Sequence, residues 1–264
     1  MKKIFVITLV LLFILTFMGC EKEDNSSLAS AGNAQVSEEE QLSEKDKELK
    51  AEIAKYSDTT VDFRYNKNVT IQGNSYDIVF EQFSTKENPK KIIYKNDLGD
   101  TFGYDIKTGK LCDITLESNI VEKTSDSIDI ETAQKIALEY FPDDCNVNEY
   151  TVTESTEVEN GYAIWYTRYI GKYMTTDAFR TQIGFDGSII HINDSTDVFD
   201  GKNLDFDEDF ITAKVEEYVN AHEGVKIGNT IILVDNGRVC IDCVCEYLYD
   251  DVSISKHHTN IPLE

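Results

Sequence analysis

The sequence predicts an α+β fold with two or three repeated units, each of one helix packed on an antiparallel sheet, after a signal peptide and a flexible tether. Three stretches with helical apolar spacing are each followed by short runs in which apolar and polar residues alternate. Local motifs also recur, because Thr132-Ala133 returns as Thr212-Ala213 and Asn160-Gly161 returns as Asn236-Gly237. This repetition favours repeated units over an irregular α+β chain, in which such matches would be coincidence.

Residues 1–19 are predicted to be a lipoprotein signal peptide. Two lysines precede an apolar run that is too short for a transmembrane helix, which needs about 20 residues. The segment Leu15-Thr16-Phe17-Met18-Gly19-Cys20 resembles the lipobox of bacterial lipoproteins, although Phe17 and Met18 depart from the usual residues. The resemblance implies cleavage between Gly19 and Cys20 and a diacylglyceryl group on the Cys20 thiol. The alternatives are an ordinary signal peptide and an uncleaved anchor.

The rest of the chain divides into a tether and three units. Residues 20–36 are small and polar, which is typical of a flexible tether. The first unit, residues 37–120, begins with a helix over 38–56 that Ser37 and Glu40 would cap, and continues with short strands. The second unit, residues 121–200, has a helix from Ile130 to Tyr140, strands, and a hairpin turn at Asp186-Gly187. The third unit, residues 201–264, is truncated: a helix, two strands joined at Asn236-Gly237, and a polar tail.

The second unit carries a resemblance to a known family. The helix Ile130-Glu-Thr-Ala-Gln-Lys-Ile-Ala-Leu-Glu-Tyr140, the strand Tyr162-Ala-Ile-Trp-Tyr166 and the segment Ile183-Gly-Phe-Asp-Gly-Ser-Ile-Ile190 resemble the PepSY domain. The match is best over 128–193 and extends weakly to 44–115 and 208–249. It implies a helix-on-sheet fold and a role outside the cytoplasm in binding or restraining peptidases. It implies no catalytic residues, and no peptidase domain accompanies the match.

The charge excludes one class of partner. The 264 residues carry 25 Lys and Arg against 49 Asp and Glu, a net charge of −24. Nucleic-acid binding needs clustered basic residues, so we expect no nucleic-acid partner. Anionic lipids repel such a chain, so we expect membrane contact through a lipid anchor, on the extracytoplasmic face of a Gram-positive bacterium.

Possible metal ligands do not form a recognisable motif. Cys240, Cys243 and Cys245 contain one Cys-x-x-Cys pair in a predicted strand, where Cys240 faces away from the other two, so we expect buried core side chains rather than a zinc site. Disulfides involving these residues, Cys112 or Cys145 stay open. Acids cluster from Asp194 to Asp209 without the EF-hand spacing, which indicates a solvated linker more than a calcium loop.

The sequence contains no serine-nucleophile elbow, phosphate-binding loop or dinucleotide fingerprint. We therefore expect neither catalytic residues nor a cofactor; an enzyme would need a pocket that brings His191 together with acids or thiols. His257 and His258 are expected to be solvated in the polar tail. The expected function is a non-catalytic, lipid-anchored module that restrains or scaffolds a peptidase or another envelope protein. The alternative is a lipoprotein that binds calcium or a small ligand, with Trp165 as a possible platform.

Overall fold

A computed structural model describes residues 42–249 and 252–264, and Ser43–Glu264 form one compact unit. It contains three α-helices: α1 (Glu44–Ile53), α2 (Ile130–Glu139) and α3 (Glu208–Ala221). Short 3₁₀ turns span Glu117–Asn119 and Val147–Glu149. The strands are β1 (Asn66–Ile71), β2 (Asn74–Phe83), β3 (Lys91–Lys95), β4 (Thr101–Asp105), β5 (Leu111–Thr115), β6 (Tyr150–Val158), β7 (Gly161–Ile170), β8 (Tyr173–Ile183), β9 (Ile189–Asp194), β10 (Val225–Asp235), β11 (Arg238–Tyr249) and β12 (Val252–Pro262).

Side-chain caps fix where the helices begin. Ser43 and Asp46 form a capping box at α1, with the Asp46 amide donating to Ser43 Oγ at 3.1 Å. Asp129 caps α2 and Asp207 caps α3, each accepting a bond from the amide three residues on. The predicted cap at Ser37 and Glu40 lies outside the described residues.

The strands join into one twelve-stranded sheet with a branch. The main path runs β1-β2-β3-β4-β5-β9-β8-β10-β11-β12, while β7 pairs with β8 and β6 pairs with β7. Neighbours are antiparallel except β8 and β10, which meet in a single parallel pairing of Thr175 with Ile232. Strand β8 branches because its second half pairs with β9 and its first half meets β10.

Two hydrophobic cores lie against this sheet. The larger one includes side chains from β1–β5, β7–β9, α1 and α2, with Phe102, Ile164 and Phe179 almost fully buried. The smaller one lies under β10–β12 and α3, around Ile211, Ile232 and Ile241. The larger core therefore spans two of the predicted units, and only the third predicted unit has a core largely its own.

The prediction of two or three repeated helix-on-sheet units was wrong. The observed fold is one large mixed sheet with three helices rather than a row of separate units. The joint between the first two predicted units is the antiparallel pairing of β5 with β9, over Asp113 to Thr115. Separate units would leave these strand edges unpaired, and the pairing satisfies their backbone groups instead. The predicted boundaries at 120 and 200 remain sequence predictions.

Several local elements were predicted correctly. Helix α2, strand β7 and the turns at Gly187 and Asn236-Gly237 lie where the pattern places them, and these turn residues have the positive φ such turns require. The prediction of a polar tail after β11 was wrong, because these residues form strand β12, which pairs with β11. His257 stacks on Tyr247 there, and the exposed His258 ring lies 3.0 Å from Asp242 Oδ2.

Candidate functional site

The outer edge of β6 is the centre of the candidate site. Strand β6 pairs with β7 along one side, and no described strand pairs with its other side. Most of its side chains are exposed, including Val152. The unpaired amides and carbonyls of such an edge can accept an extended peptide as an additional strand.

A bulge divides this edge into two parts. The β6–β7 register shifts between Val152 and Glu154, which leaves Thr153 as the extra residue. Its hydroxyl lies 3.0 Å from the hydroxyl of Thr167 on β7. Beyond the bulge, residues from Glu154 to Val158 pair with β7 in regular register. This regular part is the stretch that suits strand addition.

The turn that ends this edge is held in place by a glycine. Gly161 has φ +148°, and a Cβ atom there would lie 2.0 Å from the main-chain oxygen of Ile183. The chain after the turn therefore passes directly against the end of β8, where no side chain fits. This close approach positions Val158 and the two turn residues, Glu159 and Asn160, which line the two grooves described next.

The Trp165 groove lies on the face of the sheet away from α2 and has a volume of about 390 Å³. Trp165 is 38% exposed, and the Arg180 guanidinium carbon lies 5.3 Å from its ring centroid. Polar side chains and two carboxylates complete the lining, which comprises Glu154, Val158, Glu159, Asn160, Ala163, Trp165, Thr181, Gln182 and His191. The groove thus combines apolar surface with negative charge.

The two carboxylates of this groove, on Glu154 and Glu159, have no hydrogen-bond or ion-pair partner among the described residues. Glu157 differs, because both of its oxygens accept bonds from Lys123 Nζ at 2.7 Å. That hydrogen bond raises the pKa of Lys123. The negative charge at the end of β6 is therefore balanced at Glu157 and open at the other two positions.

The Phe185 groove lies on the other side of the β6–β7 turn and has a volume of about 460 Å³. Ile120 and Val121 are exposed there at 42% and 37%, beside Phe185 and Val158. Lys123 Nζ lies 5.5 Å from the Phe185 ring centroid. Glu122, Glu157 and Glu159 also line this groove, so the end of the β6 edge has a groove on each side that combines apolar surface with carboxylates, and Glu159 lines both grooves.

His191 lines the Trp165 groove together with Glu154 and Glu159. A histidine and acids in one pocket are the least that an enzyme would need. The Nδ1 atom of His191 lies 3.2 Å from Thr115 Oγ1, and in the described part of the chain no carboxylate bonds to the ring. General-base catalysis on a nucleophile requires a third group that orients the base. The observed contacts do not supply that group.

Cys240, Cys243 and Cys245 are buried, as predicted for core residues; Cys112 is also buried and Cys145 is half-buried. Cys112, Cys145, Cys240, Cys243 and Cys245 are all free thiols. Cys243 and Cys245 belong to the smaller core while Cys240 does not, which confirms the predicted facing of the strand. Burial raises the pKa of Cys243 to about 12 and of Cys112 to about 11, so these thiols stay protonated and unreactive.

The predicted acid cluster from Asp194 to Asp209 is dispersed. Asp194 is buried and accepts a bond from Lys110 at 2.9 Å, Asp207 caps α3, and Glu208 pairs with Lys172 at 3.2 Å. Within 42–249 and 252–264, no three His, Cys, Asp or Glu side chains could hold a metal ion together. These acids therefore do not support the calcium alternative.

A buried carboxylate that sequence analysis missed lies beside the joint of β8 and β10. Asp177 is 1% exposed, and Tyr150 Oη donates to its Oδ1 at 2.8 Å. Arg168 lies 3.6 Å from the other oxygen and also pairs with Glu149 at 2.7 Å. Burial raises the pKa of Asp177 to about 6. The surrounding strand alternation gave no signal for a charged residue in the interior.

The predicted lipid-attachment and cleavage residues, Cys20 and Gly19, lie outside the described residues, so the structure does not test them. In the described part of the chain, none of the helices has the length and apolar character needed to cross a membrane.

No family model and no curated protein matches the chain. A solved structure with some similarity is the Bacillus megaterium YpeB C-terminal domain, at 11% sequence identity and a TM-score of 0.35. The alignment covers 83% of this chain and 98% of that domain. A TM-score this low does not establish a shared fold, so the function is argued from the residues of this chain alone.

Proposed function

We propose that this chain is a non-catalytic, lipid-anchored module on the extracytoplasmic face of the membrane, which binds a segment of a peptidase or another envelope protein. The segment adds as a strand along the β6 edge, between Glu154 and Val158. The lipobox resemblance at Gly19 and Cys20 supports the anchor. The unpaired β6 edge with a groove on each side carries the proposal of protein binding.

The edge and the grooves supply different parts of such binding. Each backbone hydrogen bond formed by an added strand contributes about 1 kcal/mol net. A stretch as short as Glu154 to Val158 therefore gives weak binding without side-chain contacts. Because successive side chains of a strand point to opposite faces, one set would enter the Trp165 groove and the other the Phe185 groove. Both grooves are needed for affinity and for selection of the partner.

The test uses the full chain in a mild detergent, immobilised and exposed to an extract of its own cell envelope, with bound proteins identified by mass. Proline is introduced separately at Ser155 and at Thr156. Since successive amides of a strand point to opposite sides, one substitution removes an outward amide and the other a bond to β7. The proline variant that keeps the wild-type melting temperature is the one that has lost only an outward amide of β6, and this variant is compared with the wild type.

Matched proline substitutions at Ser255 and Lys256, on the outer edge of β12, are the control. We expect the wild type and the folded β12 variant to capture the same protein, and the folded β6 variant to lose it. Undiminished capture by the β6 variant would show that the edge is not the binding surface. If the wild type captures no envelope protein, the proposed function is rejected. If the captured protein is a peptidase, its activity with and without the chain distinguishes restraint from scaffolding.

A second candidate function is binding of a small ligand in the Trp165 groove. The observation that favours it is the exposed indole in a groove lined with polar side chains. A thermal-shift screen of small solutes, repeated with Trp165→Ala, tests it, because a specific ligand raises the melting temperature of the wild type only.

A further inference from the structure

We infer that the Trp165 groove receives a lysine or arginine side chain of the added strand, so that the β6 edge selects a basic extended segment. This inference rests on the proposed function. Its starting point is a row of side chains across the sheet. The register places Glu154 opposite Trp165, Trp165 opposite Arg180, Arg180 opposite Asn193, and Asn193 opposite Asp113.

The two acids at the ends of this row have different surroundings. Asp113 accepts bonds from Lys91 at 2.9 Å and from Asn193 at 3.2 Å. Glu154, at the open edge, has no such partner in the described structure. The cation that balances Asp113 is Lys91, two strands away on β3, and Glu154 would gain a matching cation only if a strand with a basic residue were added beside β6. The row therefore lacks one cation, at the position where the partner strand would lie.

Cross-strand geometry places that cation in the groove. Directly opposite residues on adjacent strands have Cβ atoms about 5 Å apart and point to the same face. The residue opposite Glu154 on an added strand would thus project over the Trp165 groove. A lysine or arginine there reaches the Glu154 carboxylate, and Glu159 lies in the lining of the same groove. Charge-assisted hydrogen bonds of this kind are stronger than neutral ones.

Trp165 accommodates the aliphatic part of such a side chain. Arg180 already lies over the ring at 5.3 Å, so the indole offers apolar surface for the methylene groups instead of a second cation–π contact. The strand itself favours the same partner, because residues from Tyr150 to Val158 include two glutamates and no lysine or arginine. The net charge of −24 attracts a basic segment from a distance.

The test uses three fluorescent nine-residue peptides with the full chain in a non-ionic detergent, measured by anisotropy at physiological salt, which screens the long-range attraction to the net charge. The first alternates lysine and threonine, the second glutamine and threonine, and the third is the lysine peptide with all of its backbone amides methylated, so that neither strand direction offers donors to β6. Threonine favours extended backbone without adding charge. The variants are Glu154→Gln with Glu159→Gln, and a control that removes two exposed, unpaired glutamates elsewhere, Glu87→Gln with Glu216→Gln.

We expect the lysine peptide to bind about tenfold or more tightly than the glutamine peptide, as charge-assisted bonds in a partly enclosed groove imply. The Glu154/Glu159 double variant should remove that preference, and the Glu87/Glu216 variant should keep most of it. Backbone methylation should abolish binding, since it removes the donors that pair with β6.

Three results would overturn the inference: no preference for lysine, a preference that survives the Glu154/Glu159 variant, or equal binding of the methylated peptide. The last would mean that the acids attract cations without strand addition. The capture experiment separates the two proposals. If the Glu154/Glu159 variant still captures the envelope protein and the β6 proline variant does not, the edge function stands and the basic specificity fails. If the proline variant also captures it, the proposed function fails.

Discussion

Replacement of Asp177 by asparagine should make the stability of the protein less dependent on pH. Asp177 is buried on β8, with Tyr150, Arg168 and Asp194 as its charged or titratable neighbours and Cys145 close by. Burial is the largest influence and raises the pKa of its carboxyl group from 3.8 to about 6, while Tyr150 and Arg168 oppose that rise. Asparagine has the same shape and an oxygen that accepts the Tyr150 bond, but it does not ionise.

The size of the effect follows from the shift. Below pH 3.8 the carboxyl group is protonated in both the folded and the unfolded chain. Between pH 3.8 and about 6 the unfolded chain loses its proton first, so the free energy of unfolding falls as the pH rises. Above pH 6 the loss is complete. A shift of this size corresponds to about 3 kcal/mol, at 1.36 kcal/mol for each pKa unit.

Urea unfolding at pH 4 and pH 7.5 measures the difference. Because the unfolded carboxyl group is already partly ionised at pH 4, we expect Asp177→Asn to gain about 2.4 kcal/mol of the full amount, relative to the wild type, between these two pH values. The control is Asp97→Asn, at an exposed aspartate, and its free energy of unfolding should differ from that of the wild type by nearly the same amount at both pH values. An Asp177→Asn difference that does not change with pH would refute the claim that the ionised carboxylate is destabilising in this interior.

Two further substitutions or treatments test how the sheet is packed. Gly161→Ala should lower the free energy of unfolding by several kcal/mol, because its Cβ would overlap a main-chain oxygen. The control is Gly228→Ala, where the closest neighbour of the new Cβ lies at 3.4 Å and the expected loss is about 1 kcal/mol or less. Chemical denaturation compares the two variants, and similar losses would contradict the close approach at Gly161. Cys112 and Cys243 should resist a thiol reagent at pH 8 until urea unfolds the chain, because burial raises the pKa values of both thiols. Labelling followed by mass spectrometry measures this. Rapid labelling of the folded protein would show that the strands that carry these thiols open.

The local elements of this fold were predictable because their signals are local. The apolar spacing of α2 depends on residues within a few turns of each other, and the Asn236-Gly237 turn depends on two residues that tolerate positive φ. Strand β12 was missed because its run of polar residues hides an alternation in which only one face is buried, as Ile261 shows.

The pairing of distant strands was not predictable in the same way. Nothing in the sequence of β5 specifies β9 as its neighbour, since both have the same alternation and either could lie at an open edge. The candidate site has the same difficulty. Trp165 was recognised as a possible platform, but Glu154 becomes its neighbour only through the β6–β7 register, and that register contains a bulge. Asp177 was missed because its partners, Tyr150 and Arg168, lie on two other strands.

The merging of the strands into one sheet also decides which edge is available for binding. The sheet path ends at β1 and β12, and its branch ends at β6. The β1–β2 turn is attached to the β8–β9 turn, since Gln72 bonds both the Gly187 oxygen and the Ile189 amide.

Strand β12 contains Lys256 beside two histidines, and charged residues on an edge oppose the addition of further strands. Strand β6 has acids in place of such lysines; Glu154 on the strand and Glu159 in the turn after it are unpaired in the described structure, while Glu157 pairs with Lys123. Acids repel an acidic strand, including a second copy of this chain, but attract a basic one. The same residues that oppose the pairing of two β6 edges would thus select the partner.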